Sequence, residues 1–172
     1  MLDLALNHQT ELIKKLRNTW FDDKYKYYEY STYCSDVKLA EDTWNAHQFV
    51  SIDASGEIIG FIQYDISRTT LNCSGLGIIN FSNDNLIFGK DVKRAIQDIF
   101  EKFHFNKLSF CVVVGNPIEE QYDKLVDKYG GRVVGVQLSQ TKLIDNKFYD
   151  VKLYEISADN YYLRRYKHGR SS

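Results

Sequence analysis

One stretch of the chain, residues 75–136, constrains the fold more than any other. It alternates apolar segments with helical patterns, in the order strand, helix, buried strand, helix, strand. The central run, residues 108–114, is too short for a buried helix and rich in valine, which is typical of a parallel strand covered on both faces. Because connections between parallel strands are right-handed crossovers, this stretch predicts a βαβ unit with an extension.

Two amphipathic helices flank the buried strand. The first is expected to begin near Gly89, with charged residues opposite an apolar stripe at helical spacing: Val92, Ala95, Ile96, Ile99, Phe100 and Phe103. In the second, Asn116 is a natural N-cap, Pro117 fits the first helical position, and Glu119 stands where a capping box places a carboxylate. A loop that feeds a helix N-terminus at the C-terminal edge of a parallel strand is a place to bind an anion.

The remaining segments predict further strands and helices. We expect a short strand at 2–6, a helix around 12–20, a helix-rich segment at 36–44, and strands at 47–52, 58–66, 71–81, 132–141 and 147–156. The order is β-α-α-β-β-β-α-β-α-β-β. Two apparent hairpins, each with a short turn, disfavour a doubly wound parallel sheet.

Composition limits the class of protein. The 172 residues favour one domain, and a formal charge of −1 provides no global field toward nucleic acid or an anionic membrane. No signal peptide and no apolar run near ~18 residues are present, so we expect a cytoplasmic protein without membrane contact. Three distant cysteines, Cys34, Cys73 and Cys111, indicate neither a disulfide framework nor a zinc site.

The order of elements resembles the GNAT N-acetyltransferase superfamily over residues 1–157. Residues 85–92, Asn-Leu-Ile-Phe-Gly-Lys-Asp-Val, stand where that family has its acyl-CoA pyrophosphate loop, Q/R-x-x-G-x-G/A, and Gly89 is the retained position. Residues 116–130 are similar to the helix motif N-x-x-S/A-x-x-L-Y/L-E-K-L-G-F. Gly135 and residues 149–154, Tyr-Asp-Val-Lys-Leu-Tyr, fit the ribosomal-protein N-acetyltransferase branch.

The resemblance implies an α/β fold with a mixed central β-sheet of about seven strands and helices on both faces. It implies that the fourth and fifth strands run parallel and splay apart, leaving a cleft for the pantetheine arm of acetyl-CoA, the co-substrate. Residues expected at this cofactor site are Ile79, Phe81, Leu86, Phe88, Gly89, Lys90, Asp91, Val92 and Asn116, with no metal ion. The alternative is that Gly89 and Asp91 merely start an ordinary helix.

In the family, an amine attacks the thioester directly, and a tyrosine on the helix after the buried strand often protonates the leaving thiolate. Val126 holds the usual tyrosine position here. Tyr122, one turn earlier on the same face, is the candidate acid, although an apolar stripe also suits a core residue. Asp84 is the candidate base. Asp65 and His47 are the other candidates, and each of the three also reads as a solvated or capping residue.

The leading interpretation is an N-acetyltransferase that acts on a primary amine of a small molecule or peptide. The alternative is a catalytically degenerate protein of this fold that serves as a binding or structural component. Residues 158–172 read as a basic, aromatic tail: a contact for RNA, a docking arm or a frayed end. Together with a tyrosine-rich segment, this tail favours a homodimer; those tyrosines are Tyr25, Tyr27, Tyr28, Tyr30 and Tyr33.

Overall fold

The computed structural model describes residues 1–28, 31, 34–82 and 86–168, with side chains through Arg165. The strands are β1 (Leu2–Leu4), β2 (Ala46–Ile52), β3 (Ile58–Ser67), β4 (Asn72–Asn80), β5 (Lys107–Val113), β6 (Arg132–Lys142) and β7 (Phe148–Ser157). The α-helices of the described chain are α1 (Gln9–Arg17), α2 (Leu86–Glu101), α3 (Glu119–Lys128) and α4 (Ala158–His168). Short 3-10 helices occupy Ala5–His8 and Asp23–Tyr25.

The strands form one mixed sheet in the order β1-β2-β3-β4-β5-β7-β6. The β4–β5 pair is parallel, and all other neighbouring pairs are antiparallel. The crossover from β4 to β5 runs through α2, as parallel neighbours require. The predicted seven-stranded mixed sheet is confirmed.

The two parallel strands separate soon after they meet. They pair at Asn72–Lys107 and at Cys73–Leu108, and no later residue of β4 pairs with β5. Each strand keeps its other neighbour: β4 follows β3 up to Asn80, and β5 follows β7 up to Val113. The gap between residues 74–80 and residues 109–113 is called here the β4–β5 cleft. The expected splaying of these strands is confirmed.

The core lies on both faces of the sheet. Alternation along β3 sends Ile62 and Tyr64 into one cluster, beneath α2, α3 and α4, and Phe61 into another, beneath α1. Leu12 and Leu16 of α1 close the second cluster. Helices therefore cover both faces, as expected. None of the helices in the described chain combines the length and the apolar character needed to cross a bilayer.

Two segments differ from the prediction. Residues 36–44, expected to be helix-rich, have no helical hydrogen bonding. Their partners lie elsewhere: Asp36 makes a two-pronged salt bridge with Arg17, and Gln48 accepts the N–H of Ala40 at 2.8 Å. These long-range bonds provide partners for polar groups of the segment, which needs no helical hydrogen bonds for them.

The C-terminal segment also departs from expectation, because residues 158–168 form α4 and are not a frayed end. Tyr161 is 1% exposed, and its ring stacks on Phe100 with centroids 4.6 Å apart and on Tyr129 with centroids 5.2 Å apart. The hydroxyl of Tyr162 donates to the carbonyl oxygen of Phe100 at 2.7 Å. These aromatic residues anchor the segment on α2 and α3, so their role is in the core.

Candidate functional site

The open end of the β4–β5 cleft lies at the N-terminus of α2. This helix begins at Leu86, three residues before the expected start. In the described part of the chain, residues 86–88 are its first turn, where a helix leaves its N–H donors open. The N–H groups of residues 90–92 lie one turn inside the helix, where they bond to carbonyl groups four residues earlier. The amides that can meet an anion thus precede Gly89, not follow it.

The side chains of this first turn point in two directions. Leu86 is 67% exposed, Lys90 is exposed, and a Cβ added to Gly89 would meet no atom within 4 Å. Phe88 is buried and packs on the sheet. Asp91 also faces the sheet, because its carboxylate accepts from Ser51 Oγ at 2.7 Å. Leu86, Gly89 and Lys90 therefore lie on the exposed side of this turn, while Phe88 and Asp91 attach the helix to the sheet.

Asp91 has a second contact, and this one is an ion pair. The amino group of Met1 lies 3.0 Å from its carboxylate. Val92, the next residue, is half-buried and packs against the core cluster of α2. In this structure Asp91 is therefore bound to Ser51 and Met1, and Val92 packs on the core.

The pairing of β4 decides which of its backbone groups face the cleft. The N–H of Phe81 donates to the carbonyl oxygen of Ile59 in β3 at 2.9 Å. Because backbone groups alternate along an antiparallel strand, those of Ile79 also face β3, and those of Ile78 and Asn80 face the cleft. Ile79 and Phe81, expected at the cofactor, therefore have their backbone groups turned away from it.

Two consecutive tyrosines span the open end of the cleft. Tyr27 donates its hydroxyl to the carbonyl oxygen of Gly115, just after β5, at 2.9 Å. Burial raises the pKa of Tyr28 to about 12, while a hydrogen bond with the backbone of Asn80 acts to lower it. A bond that lowers the pKa of a phenol stabilises the phenolate, so the N–H of Asn80 is the donor. We name Tyr27 and Tyr28 the tyrosine strap.

Tyr122 lies on the far side of the cleft, on α3. Its ring meets Phe110 of β5 edge-on, with centroids 5.2 Å apart, and Tyr154 of β7 at 6.3 Å. Burial raises the pKa of Tyr122, and the neighbouring Tyr28 hydroxyl adds to that rise. Val126, one turn further along α3, is buried in the same core cluster. Tyr122 therefore keeps its proton at neutral pH and stands near the tyrosine strap.

A charged network beside Tyr122 was not predicted. Lys152 Nζ lies 2.7 Å from Asp123 and 3.3 Å from Glu119, and the Tyr154 hydroxyl donates to Asp123 at 2.8 Å. Asp123 raises the pKa of Lys152, and Lys152 lowers the pKa of Asp123. Glu119 also accepts the N–H of Gly115 at 3.0 Å, so the network reaches the loop held by the tyrosine strap.

The N-terminus of α3 differs in detail from the predicted cap. The helix begins at Glu119, and Pro117 lies in the turn before it. Asn116 still acts on that turn, because its side-chain oxygen accepts the N–H of Ile118 at 3.2 Å. Glu119 reaches back to Gly115, where the predicted capping box required Asn116. The Asn116 side chain is thus partly used by its own loop.

The candidate bases lie apart from one another. Asp84 falls outside the described residues. His47 and Asp65 lie at the closed end of the cleft: Asp65 pairs with Ser74, next to the last contact between β4 and β5. His47 Nδ1 lies 2.7 Å from the Tyr64 hydroxyl in an aromatic cluster. Both are therefore remote from the open end, because the sheet register separates them from it.

Among the described residues, no three His, Cys, Asp or Glu side chains are grouped as metal ligands. His104, with a positive φ of 55°, follows α2 as a residue of the helix end.

Comparison with known proteins reveals likeness in structure alone. No protein-family model matches the chain, and no curated protein matches its sequence. A chimera of the Vibrio cholerae spermidine N-acetyltransferase and hSSAT is 19% identical, with a TM-score of 0.68, over 94% of this chain and 96% of that chain. The Vibrio cholerae spermidine N-acetyltransferase in complex with CoA and spermine is 17% identical, with a TM-score of 0.65, over 94% and 96%.

A third structure, the spermidine/spermine N-acetyltransferase of the same organism with manganese ions, is 17% identical over 95% of both chains, with a TM-score of 0.65. Each likeness spans nearly the whole chain. The chain has the fold of the GNAT N-acetyltransferase superfamily, as its order of elements predicted.

Proposed function

We propose that the protein transfers an acetyl group from acetyl-CoA to a primary amine by direct attack in a ternary complex. The observation that carries this proposal is the β4–β5 cleft, which opens at the N-terminus of α2. A helix N-terminus attracts the pyrophosphate, and a cleft between splayed strands accepts an extended arm. A structural neighbour that binds both CoA and spermine supports the same assignment.

The cofactor site follows from the exposed groups. The N–H groups of residues 86–88 meet the pyrophosphate, and Gly89 leaves room for its approach. Lys90 supplies a positive charge. The pantetheine arm runs along β4, where the backbone groups of Ile78 and Asn80 face it. Leu86 and Ile118, 67% and 38% exposed, form apolar lips at the starts of the two helices.

Binding in the cleft requires the tyrosine strap to move. Tyr28 occupies the N–H of Asn80 that the pantetheine arm needs. Tyr27 is tied to Gly115 on the opposite side of the opening. The described conformation is therefore a closed one, and the acyl-CoA competes with the Tyr28 hydroxyl for the edge of β4.

The catalytic chemistry assigns a donor role to Tyr122. Because its raised pKa keeps it protonated, its hydroxyl donates a hydrogen bond to the thiolate as the thioester breaks. The proton that the attacking ammonium loses goes to a base, for which we retain Asp84. The Asp123–Lys152 pair and Tyr154 hold the α3 face that carries Tyr122 against β7.

We infer a small-molecule amine as acceptor and the cytoplasm as compartment. Spermine is the amine bound by one structural neighbour, and several tyrosines beside the cleft offer apolar area with polar tips for such a ligand. None of Cys34, Cys73 and Cys111 forms a disulfide in the described chain, which suits a reducing compartment.

A second candidate function has its own supporting observation. Val126 occupies the usual tyrosine position, and the strap closes the cleft. A degenerate protein of this fold that binds a partner without catalysis would tolerate both features. It differs from the enzyme in one measurable respect, because it transfers no acetyl group to an amine.

The test has two stages. Thermal unfolding with acetyl-CoA at about 100 times its dissociation constant should reveal about 2.7 kcal/mol of stabilisation. Release of free CoA thiol in the presence of spermine or other amines then measures transfer. Stabilisation without transfer to any amine favours the binding protein. No stabilisation at millimolar acetyl-CoA rejects both the cofactor and the enzyme.

A further inference from the structure

The closed end of the β4–β5 cleft carries a carboxylate that lies over a glycine. Gly75 of β4 has a positive φ of 64°, and the β3–β4 register shifts beside it. A Cβ added to Gly75 would lie 3.0 Å from Oδ2 of Asp65 in β3. Bulges of this kind re-aim a side chain, and they are frequent next to active sites. Because Asp65 pairs with Ser74, the residue after the last β4–β5 pair, its carboxylate lies where the two strands separate.

The charge of this carboxylate is not neutralised within the described chain. Asp65 is exposed, and among the described residues its carboxylate has no hydrogen-bond or ion-pair partner. Glu155 of β7, which pairs with Ser109 at the same end of the sheet, differs in this respect. Arg132 lies 2.8 Å from its carboxylate and Lys107 lies 3.7 Å away. Asp65 therefore remains available to a cation from outside the chain.

The two faces of the sheet differ at this end of the cleft. On one face, beneath α2, α3 and α4, Tyr64 of β3 and Phe110 of β5 are buried in the core cluster. Side chains alternate along a strand, so the next residues, Asp65 and Cys111, lie on the other face. Both are exposed, and so is Gly75 on the strand between them. The closed end of the cleft is therefore blocked by the core on one face and exposed, in the described chain, on the other.

We propose that Asp65 binds the ammonium group of the acceptor, which reaches the closed end of the cleft from this exposed face. The inference rests on the proposed function for the position of the thioester. With the pyrophosphate at the N-terminus of α2, the acyl end of the arm points toward the closed end, where β4 and β5 pair. The core excludes an amine from one face, so the amine approaches from the other face and passes Asp65.

The charge of Asp65 defines the class of acceptor. Hydrogen bonds between an ammonium group and a carboxylate are charge-assisted, and they are stronger than bonds between neutral groups. An amine that is neutral at physiological pH, such as aniline, gains no such bond. An amine with its own carboxylate beside the nitrogen, such as β-alanine, is repelled by the like charge of Asp65. The acceptor is therefore an alkylamine with no acidic group near the reacting nitrogen.

Calorimetric titration with spermine, in the presence of millimolar CoA, measures acceptor binding without turnover. Asp65→Asn keeps the shape of the side chain and removes its charge, so the affinity for spermine should fall at least tenfold. Asp127→Asn changes an acid of α3 whose side chain is 87% exposed. This variant is the matched control and should bind spermine as the native protein does. Circular dichroism establishes that each variant folds.

Carbodiimide coupling supplies a readout on the native protein. The reagent joins an amine to the carboxylate that it contacts, and mass spectrometry of peptides locates the bond. Spermine should couple to Asp65 more than to Asp127.

Three results overturn the proposal: a native protein that binds no spermine, undiminished binding by Asp65→Asn, and coupling at Asp65 no greater than at Asp127. Neither measurement requires acetyl transfer. A failure here therefore rejects Asp65 as the acceptor site, whereas the absence of stabilisation by acetyl-CoA rejects the proposed function.

Discussion

The ring of Phe88 fills the space above Gly60: a Cβ added to Gly60 would lie 2.1 Å from ring atom Cε2 of Phe88. Gly60 lies in β3 opposite Asn80, the last residue of β4, and Phe88 lies in the first turn of α2. This contact sets the height of the helix N-terminus above the end of the cleft. Phe88, expected to contact the cofactor, thus positions the helix that would bind it.

Substitution of Gly60 should therefore destabilise the fold. We expect Gly60→Ala to lower the free energy of unfolding by about 1–3 kcal/mol, because the methyl group displaces a buried ring. Urea denaturation measures the change. Gly135→Ala in β6, where an added Cβ meets nothing within 4 Å, is the matched strand control and should remain near native stability. Equal stability of both variants would contradict the Phe88 contact.

Substitution of Gly89 should affect binding but not folding. Gly89 has open space around it and lies in a helix, where valine costs less than glycine by a few tenths of a kcal/mol. We expect Gly89→Val to preserve stability and to weaken acetyl-CoA binding at least tenfold, since its side chain would obstruct the amides of residues 86–88. Gly89→Ala should have a smaller effect.

Calorimetric titration of these Gly89 variants with acetyl-CoA measures the difference. Equal affinities of the native protein and Gly89→Val would remove this residue from the site. Absence of heat in all of them would leave the fold without the cofactor.

Removal of the Tyr28 hydroxyl should favour the open cleft. In Tyr28→Phe the N–H of Asn80 loses its partner, and a hydrogen bond contributes about 0.5–1.5 kcal/mol. We expect a gain of that size to raise the acetyl-CoA affinity about two- to twelvefold. Tyr149→Phe, which removes a hydroxyl bound to Asp145 on the surface, is the control. Weaker binding by Tyr28→Phe would mean that the hydroxyl contacts the ligand and does not compete with it.

Stability should depend on pH through His47. Burial lowers the pKa of His47 from 6.5 to about 4. Between pH 6.5 and pH 4 the histidine is protonated in the unfolded state and neutral in the folded state. The free energy of unfolding therefore falls as pH decreases from about 6.5 to about 4. Urea midpoints at pH 7 and pH 4.5 should differ more for the native protein than for His47→Gln. Equal pH dependence in both proteins would place the titrating group elsewhere.

The local pattern of apolar residues was sufficient to predict the central strand and the two helices beside it. The valine-rich run predicted β5, and the 3.6-residue spacing predicted α2 and α3, because burial of one face leaves its period in the sequence. Their ends were displaced: α2 begins at Leu86, not near Gly89, and α3 at Glu119, not at Pro117. The fold was predicted because the order of strands and helices resembles that of the GNAT superfamily.

The site was decided by contacts between distant parts of the chain. Lys152 meets Asp123, 29 residues away, and Tyr28 meets Asn80 across the open end of the cleft. No local period encodes such pairs, because sheet order and register determine which side chains become neighbours. The amino-acid sequence by itself determined the seven strands, the helices α1 to α3 and their order. Only the tertiary structure, through the separation of β4 from β5 and the packing of α2 on Gly60, decided where a cofactor can bind.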